Sequence, residues 1–377
     1  MKTNVEDRLD RIADIWNYFI WDFKFCSSRI KFNDDVKTNY FGDILGYFND
    51  TLDIVFQTRK AISHADKFSY SISFLQAIYI QQDFVEEMLG IFKTGIGKGQ
   101  LKNDPTYYIN RELRNELIGH PIRKFQGKLI SSTLFSYQGK EDEIQYLRYH
   151  ADNEFKLESK TFSISEIQER HEKFLEKYFD AILTKLKLIL YKYLRELEKL
   201  ENFIENKDFK IILRLTEIYF EAIFQSDFIY DKDSLVKIYD RKDEHQRYKN
   251  FVGLFYNDLK KAITDKKKSV LKIFENEKAN YDEAEKMALP KIEVLLAGSE
   301  ESAFDNEHRK ETYHYEIGKI ATKRNQMDFA FFGGLLRSKC SNNELVLSEL
   351  NHMEQNICDE IEYYTSLRLI CAELDQE

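Results

Sequence analysis

Glycine and proline are scarce in this chain, 14 and 3 among 377 residues. Those residues end helices and turn strands, so their scarcity leaves long, uninterrupted helices as the main way to fold it. The apolar residues agree. Val5, Leu9, Ile12, Trp16, Phe19 and Ile20 recur at the three-and-four spacing that lines one helical face. A second amphipathic helix is predicted over residues 36–63, on Phe41, Ile44, Leu45, Phe48, Leu52, Val55 and Phe56, and a richer third one over 68–92. Thr94-Gly95-Ile96-Gly97-Lys98-Gly99-Gln100 interrupts the pattern, and a shorter helix follows Pro105 to about Ile118.

The pattern changes after Pro121. Residues 129–137 and 143–149 are short Leu/Ile/Phe/Tyr/Ser stretches flanking Gly139-Lys140-Glu141-Asp142, which reads as a hairpin loop. Tyr137, Tyr146 and Tyr149 read as cross-strand packing, with base stacking as the alternative. Ser163 with Glu166 offers a capping box for a long helix through Leu183, Leu186, Leu190, Tyr193 and Leu197. Beyond it, helical segments are predicted over 209–224, 235–279, 283–296, 303–332 and 343–374. They are broken at Ser226-Asp227, Gly298-Ser299 and Gly333-Gly334, with a kink at Pro290. So many residues exceed one ordinary core. The expected division is a bundle at 1–201, carrying a small β-hairpin insertion at about 127–160, and an all-helical domain at 202–377.

A formal net charge of -9 argues against a protein that coats nucleic acid over its whole surface, but leaves room for a local basic site. Cys26, Cys340, Cys358 and Cys371 have no paired spacing, and the histidines lack metal-ligand spacing, so neither a metal nor a cofactor is expected. No apolar run is long enough to span a membrane, and the N-terminus is polar and acidic, so the expected location is cytoplasmic.

Chemistry concentrates in Arg111-Glu112-Leu113-Arg114-Asn115-Glu116-Leu117-Ile118-Gly119-His120-Pro121. Arg111 and Arg114 share a polar helical face. Gly119 then reads as a left-handed helix cap with Pro121 following, which would let His120 swing over the helix end towards Arg114. Arginine grips phosphate with a permanently charged fork, and histidine exchanges protons near neutral pH. Together they are a minimal set for cutting RNA without metal, the ribose 2′-hydroxyl attacking the phosphate. Arg123, Lys124 and Lys128 add a local basic patch.

An arginine followed by asparagine and, a few residues on, by a histidine closing a helix resembles the R-x4-6-H motif of HEPN domains. The resemblance covers about residues 1–125, extending to 200 if the long helix completes the bundle. It implies a mainly α, antiparallel HEPN-like bundle, a homodimer with a composite ribonuclease site, and a role in prokaryotic toxin–antitoxin or antiviral defence or stress response. Carried over, Arg114 and His120 would be catalytic and Asn115 their support, with Arg111, Arg123 and Lys124 binding RNA. An antitoxin or regulatory partner would fit. Ile122 stands where nucleotidyltransferase-controlled members carry a tyrosine, so that control is not expected here.

A plainer reading stays open. Arg114 could sit in a structural ion pair with Glu112 or Glu116, and His120 could cap carbonyls, leaving a non-catalytic helical scaffold that dimerises or binds RNA or protein. The glycines at 95, 97 and 99 lack the Lys-Ser/Thr of a P-loop and read as a connector that could offer Lys93, Lys98 or Lys102 to RNA. Lys260-Lys261 and Lys266-Lys267-Lys268 read as a solvated helix face. Arg324-Asn325 has no histidine shortly downstream and is not a second motif.

Overall fold

Helix α1 (Lys2–Ile15) buries Val5, Leu9 and Ile12 of the apolar stripe read from the sequence, together with Ile15, and runs into a π-helical turn at Trp16–Ile20 that buries the rest of the stripe, Trp16, Phe19 and Ile20. The computed structural model describes residues 2–33, 36, 40–57, 63–134, 142–204, 206–220, 232–274 and 313–374. Their architecture is mainly helical with one small antiparallel sheet. Two compact units divide the chain, Met1–Tyr193 and Leu194–Glu377.

In the first unit, α1 is followed by α2 (Lys24–Ser27), α3 (Tyr40–Phe56), α4 (His64–Ile91), α5 (Lys98–Lys102) and α6 (Pro105–Arg114). Caps explain two starts. Ser63 Oγ accepts the Asp66 N–H at 3.1 Å to open α4. Asp104 accepts the Thr106 N–H at 2.8 Å to open α6, with Pro105 in the first turn where its missing N–H costs nothing. Bulky rings fill the core: Trp16 stacks on Phe41 at 4.1 Å, and Phe92 meets Phe41 edge-on at 5.5 Å. The long α7 (Ile164–Ile204) packs its residues up to Tyr193 here, Phe179 against Phe48 at 5.4 Å and Tyr193 against Phe23 at 5.3 Å.

Between α6 and α7 lies a four-stranded antiparallel meander, order β1-β2-β3-β4, rather than the two-stranded hairpin expected. Its strands are β1 (Ile122–Phe125), β2 (Lys128–Leu134), β3 (Glu143–His150) and β4 (Leu157–Ser163). Gln126 and Gly127, at φ +50° and +80°, form the tight β1–β2 turn. Ile130, Ser132, Ile144 and Tyr146 face inward. Ile144 and Tyr146 join Val55, Phe74, Ile78, Leu113, Leu117 and Ile167 in one apolar cluster. Ser163 Oγ meets Ser165 Oγ at 2.7 Å instead of forming a capping box with Glu166.

The second unit contains α8 (Phe209–Tyr219), α9 (Lys232–Asp240), α10 (Gln246–Phe274), α11 (His314–Thr322), α12 (Gln326–Asp328), α13 (Gly334–Lys339), α14 (Glu344–Gln355) and α15 (Glu360–Leu374). Gly333-Gly334 does not break the chain there. A π-helical turn, Phe329–Gly333, carries α12 into α13, and a side chain on Gly333 would meet the Phe329 ring at 3.1 Å. Phe329, Leu336, Val346, Leu350, Tyr363 and Ile370 belong to one apolar cluster of this unit. Outside the described residues fall the expected hairpin loop at 139–141 with Tyr137, residues 58–62 and 221–224, Ser226-Asp227, and residues 275–312 with Pro290 and Gly298-Ser299.

Candidate active site at the end of α6

Helices α4 and α6 run antiparallel, and their facing polar residues form a ladder. Gln82 Nε2 donates to the Tyr107 carbonyl at 2.9 Å, and Tyr107 Oη donates to Glu86 at 3.3 Å. Next along, Arg111 pairs with Asp83 at 2.8 Å. At the end, Arg114 donates through Nε and Nη2 to Gln76 Oε1, at 3.0 and 2.9 Å, and through Nη1 to Asn115 Oδ1 at 3.2 Å. The Tyr79 ring serves both arginines, each guanidinium carbon lying 4.0 Å from its centroid.

The two arginines therefore differ in kind. Burial works against the Arg111 charge, but Asp83 outweighs it and holds the pKa upward, so this side chain is already committed. Arg114 faces only neutral partners among the described residues. A guanidinium has five N–H donors, and the three bonds above leave two of them for a further acceptor.

Beyond Arg114 the helix widens into a π-helical turn, Asn115–Gly119. The Asn115 carbonyl is taken by the His120 N–H at 2.7 Å, so Gly119 is not the left-handed cap expected of it. Its lack of a side chain has another use. A Cβ there would stand 2.6 Å from Arg114 Nη1, so the guanidinium lies against the bare backbone of the residue before His120. The chain then turns out at His120 (φ -143°, ψ 65°), and the Pro121 carbonyl accepts the Ser132 N–H at 2.7 Å. Backbone bonds thus flank His120 on both sides. Its side chain is exposed, and no described residue hydrogen-bonds or ion-pairs with it. No hydrogen bond joins it to Arg114.

Glu116 points the other way, buried against the sheet. It accepts from Ser132 Oγ at 2.8 Å, with Arg148 Nε at 3.2 Å and Arg123 Nη2 at 3.7 Å. Burial, and then the Glu116 carboxylate, push the Tyr146 phenol pKa upward. Arg123 also lies 4.0 Å from Glu112. The structural ion pair considered for Arg114 thus exists in this region, but it belongs to Arg123 and Arg148. Of the three residues expected to bind RNA, Arg111 and Arg123 face carboxylates, whereas Lys124 is exposed on the other face of β1.

Gln76, Tyr79 and Ser132 escaped the sequence reading, and Glu116 entered it only as an alternative ion-pair partner for Arg114. Gln76, Tyr79 and Asp83 stand three and four apart on α4, but the helix carries other polar residues, Gln81, Gln82 and Glu86 among them, so that spacing did not single these out. Among the other candidates, Lys98 pairs with Glu86 at 3.1 Å. Asn325 caps α12 by accepting the Asp328 N–H at 2.9 Å. Cys26, Cys340 and Cys371 are buried free thiols and Cys358 an exposed one. Among the described residues no cluster of His, Cys, Asp or Glu could hold a metal ion, and no helix is long and apolar enough to cross a membrane. Compared with protein-family models, with curated proteins and with solved structures, the chain matches none.

Proposed function

We propose that the chain is an endoribonuclease that cuts by 2′-hydroxyl attack without a catalytic metal. The observation that carries this reading is an arginine held in place by neutral partners beside an exposed histidine that no described residue engages. Arg114 presents two donors to a phosphodiester and balances the charge that builds on phosphorus in the transition state. His120 takes the 2′-hydroxyl proton. The 2′-oxygen then bonds to phosphorus, the bond to the 5′-oxygen breaks, and an imidazolium returns a proton to that oxygen. The products are a 2′,3′-cyclic phosphate and a 5′-hydroxyl.

One imidazole cannot be both base and acid in the same instant. Two copies of the chain, each supplying Arg114 and His120, would provide both, and the homodimer belongs to the proposal for that reason. The resemblance to HEPN domains supports the same arrangement, and it alone suggests a setting in prokaryotic defence or stress response with an antitoxin or regulatory partner. The test is purified protein incubated in EDTA with RNA and with single-stranded DNA, beside Arg114→Ala and His120→Ala. Cleavage of RNA alone, lost in both variants, is the expected result. Cleavage that survives either substitution would refute the assignment, and a dimer that cuts nothing and binds RNA unchanged in both variants would leave a scaffold.

A further inference from the structure

Glu116 lies inside the π turn, two residues after Arg114 and four before His120, and its carboxylate is buried. Groups from three strands converge on it: Arg123 of β1, Ser132 of β2, and Tyr146 and Arg148 of β3. A buried carboxylate among arginines is a poor source of net stability, because desolvating the charges offsets their attraction. Leu113 and Leu117 already pack this helix end on Ile144 and Tyr146. What the polar contacts add is a fixed position.

Ser132 shows which position. Its Oγ–H is given to Glu116, and its backbone N–H is given to the Pro121 carbonyl. One residue of β2 thus holds both ends of the segment Glu116–Pro121, the segment that carries Gly119 and His120. A π turn is an unfavourable local conformation that needs outside support. Here that support comes from the Glu116–Ser132 bond on one side and from Arg114 lying against Gly119 on the other.

We propose that Glu116 is a positioning residue for this site: by tying the π turn to Ser132, it sets the place of the His120 imidazole relative to the Arg114 guanidinium. Glu116 itself does not touch substrate. The proposal takes its activity readout from the ribonuclease reading, but its structural readout stands apart from it.

The experiment uses the full chain with Glu116→Ala, Glu116→Gln and Ser132→Ala. It follows kcat and KM on an RNA oligonucleotide, thermal melting, and amide hydrogen exchange of peptides covering residues 115–125. Glu116→Ala is expected to lower kcat about 10²-fold at unchanged KM, as a displacement of about 1 Å in a catalytic group does. Glu116→Gln keeps an acceptor for Ser132 but removes the charge facing Arg148 and Arg123, and should lose roughly tenfold. In each variant, exchange should quicken in those peptides while the rest of the first unit stays as protected as in the wild type. Should Glu116→Ala fail to fold, Glu116→Gln and Ser132→Ala carry the test. A folded variant with wild-type kcat and wild-type exchange in this segment overturns the proposal. So does a loss of kcat that merely tracks the folded fraction. If the wild type cuts no RNA, the ribonuclease reading fails by itself, and exchange decides: local quickening upholds the positioning role, unchanged exchange overturns it.

Discussion

Gly119→Ala separates the geometry of the site from its chemistry, since it deletes no functional group. The added Cβ would stand 2.6 Å from Arg114 Nη1, where an unstrained contact needs roughly 3.5 Å. The guanidinium must therefore withdraw by about 1 Å. Its bonds to Gln76, at 2.9 and 3.0 Å, cannot stretch that far and remain hydrogen bonds. Their loss costs about 1.5–3 kcal/mol, less what water restores at a half-buried group. Alanine in a helical turn returns about 1 kcal/mol relative to glycine. The net destabilisation should be about 1 kcal/mol, a fall of roughly 2–4 °C in Tm for a unit of this size. On the proposed ribonuclease reading, cleavage should suffer far more, by about 10²-fold in kcat, because the group proposed to hold the phosphate has moved. Calorimetry and single-turnover cleavage on the same preparation measure both quantities. Full activity with an unchanged Tm would show that Arg114 is free to settle elsewhere, and the reasoning from a preset guanidinium would be wrong.

Gln76→Glu keeps the shape of the Arg114 anchor but gives it a carboxylate. The fold should be unchanged to within about 1 kcal/mol by urea titration, while RNA cleavage falls about 10²-fold; full activity would mean that the uncompensated charge is not what matters. His171 is wholly buried, its Nε2 on Gln81 Oε1 at 2.7 Å, and burial pushes its pKa down to about 3. With an ordinary unfolded value near 6.5, the unfolded chain binds the extra proton first. Urea stability should therefore be full above about pH 6.5 and decline towards pH 3 by up to ~1.4 kcal/mol per pH unit from this group, a slope that His171→Gln should flatten. Asp104 has the same sense for a carboxylate. Burial alone would raise its pKa, but bonds from Lys177, Thr106 and Tyr178 bring it down to about 2, so its contribution is present above about pH 4 and lost as pH falls through 2. Asp104→Asn, which keeps a capping oxygen, should cost about 1 kcal/mol at pH 7 once the shift is discounted for solvent screening, and little near pH 2 if the protein is still folded there. In the second unit, Glu349 accepts from Arg247 at 2.5 Å and from Ser366 at 2.6 Å, all three buried. Glu349→Ala should destabilise by about 3–5 kcal/mol, and a loss below about 1 kcal/mol would show that Arg247 escapes to water.

The helices of the first unit were legible where their buried faces are apolar at helical spacing, as in Val5, Leu9 and Ile12, whereas the segments read as single helices over 235–279, 303–332 and 343–374 are interrupted at 241–245, 323–325 and 356–359. Two strands were not legible, and the reason lies in what their inner faces carry. In β1 the inward residue is Arg123, directed at Glu116; in β4 it is Glu158 and Lys160 that share a face with Phe162. Neither strand shows the alternation of apolar and polar residues by which strands are read. The helix does end at Gly119, as read, but without the left-handed cap, whereas Gly333 ends none; each is a place where another side chain, Arg114 or Phe329, lies against bare backbone inside a π turn. Spacing singled out Arg114 and His120 as candidates without showing how their side chains sit. Gln76 and Tyr79 became visible only when α4 and α6 were paired.

The partners of Arg114 bear on function because this acidic chain has carboxylates close by and uses them elsewhere. Asp83 meets Arg111, while Glu112 and Glu116 meet Arg123, and Glu116 also meets Arg148. An arginine kept only for stability gains most from a carboxylate with good geometry. Arg114 is instead fixed by an amide, a second amide and an aromatic ring, all of which orient the guanidinium while leaving its charge uncancelled. That arrangement stores an attraction for an anion at the site, and the bare backbone of Gly119 keeps the guanidinium close to the residue that leads into His120. Orientation without neutralisation suits the phosphodiester contact proposed for Arg114, with which a carboxylate at the same position would compete.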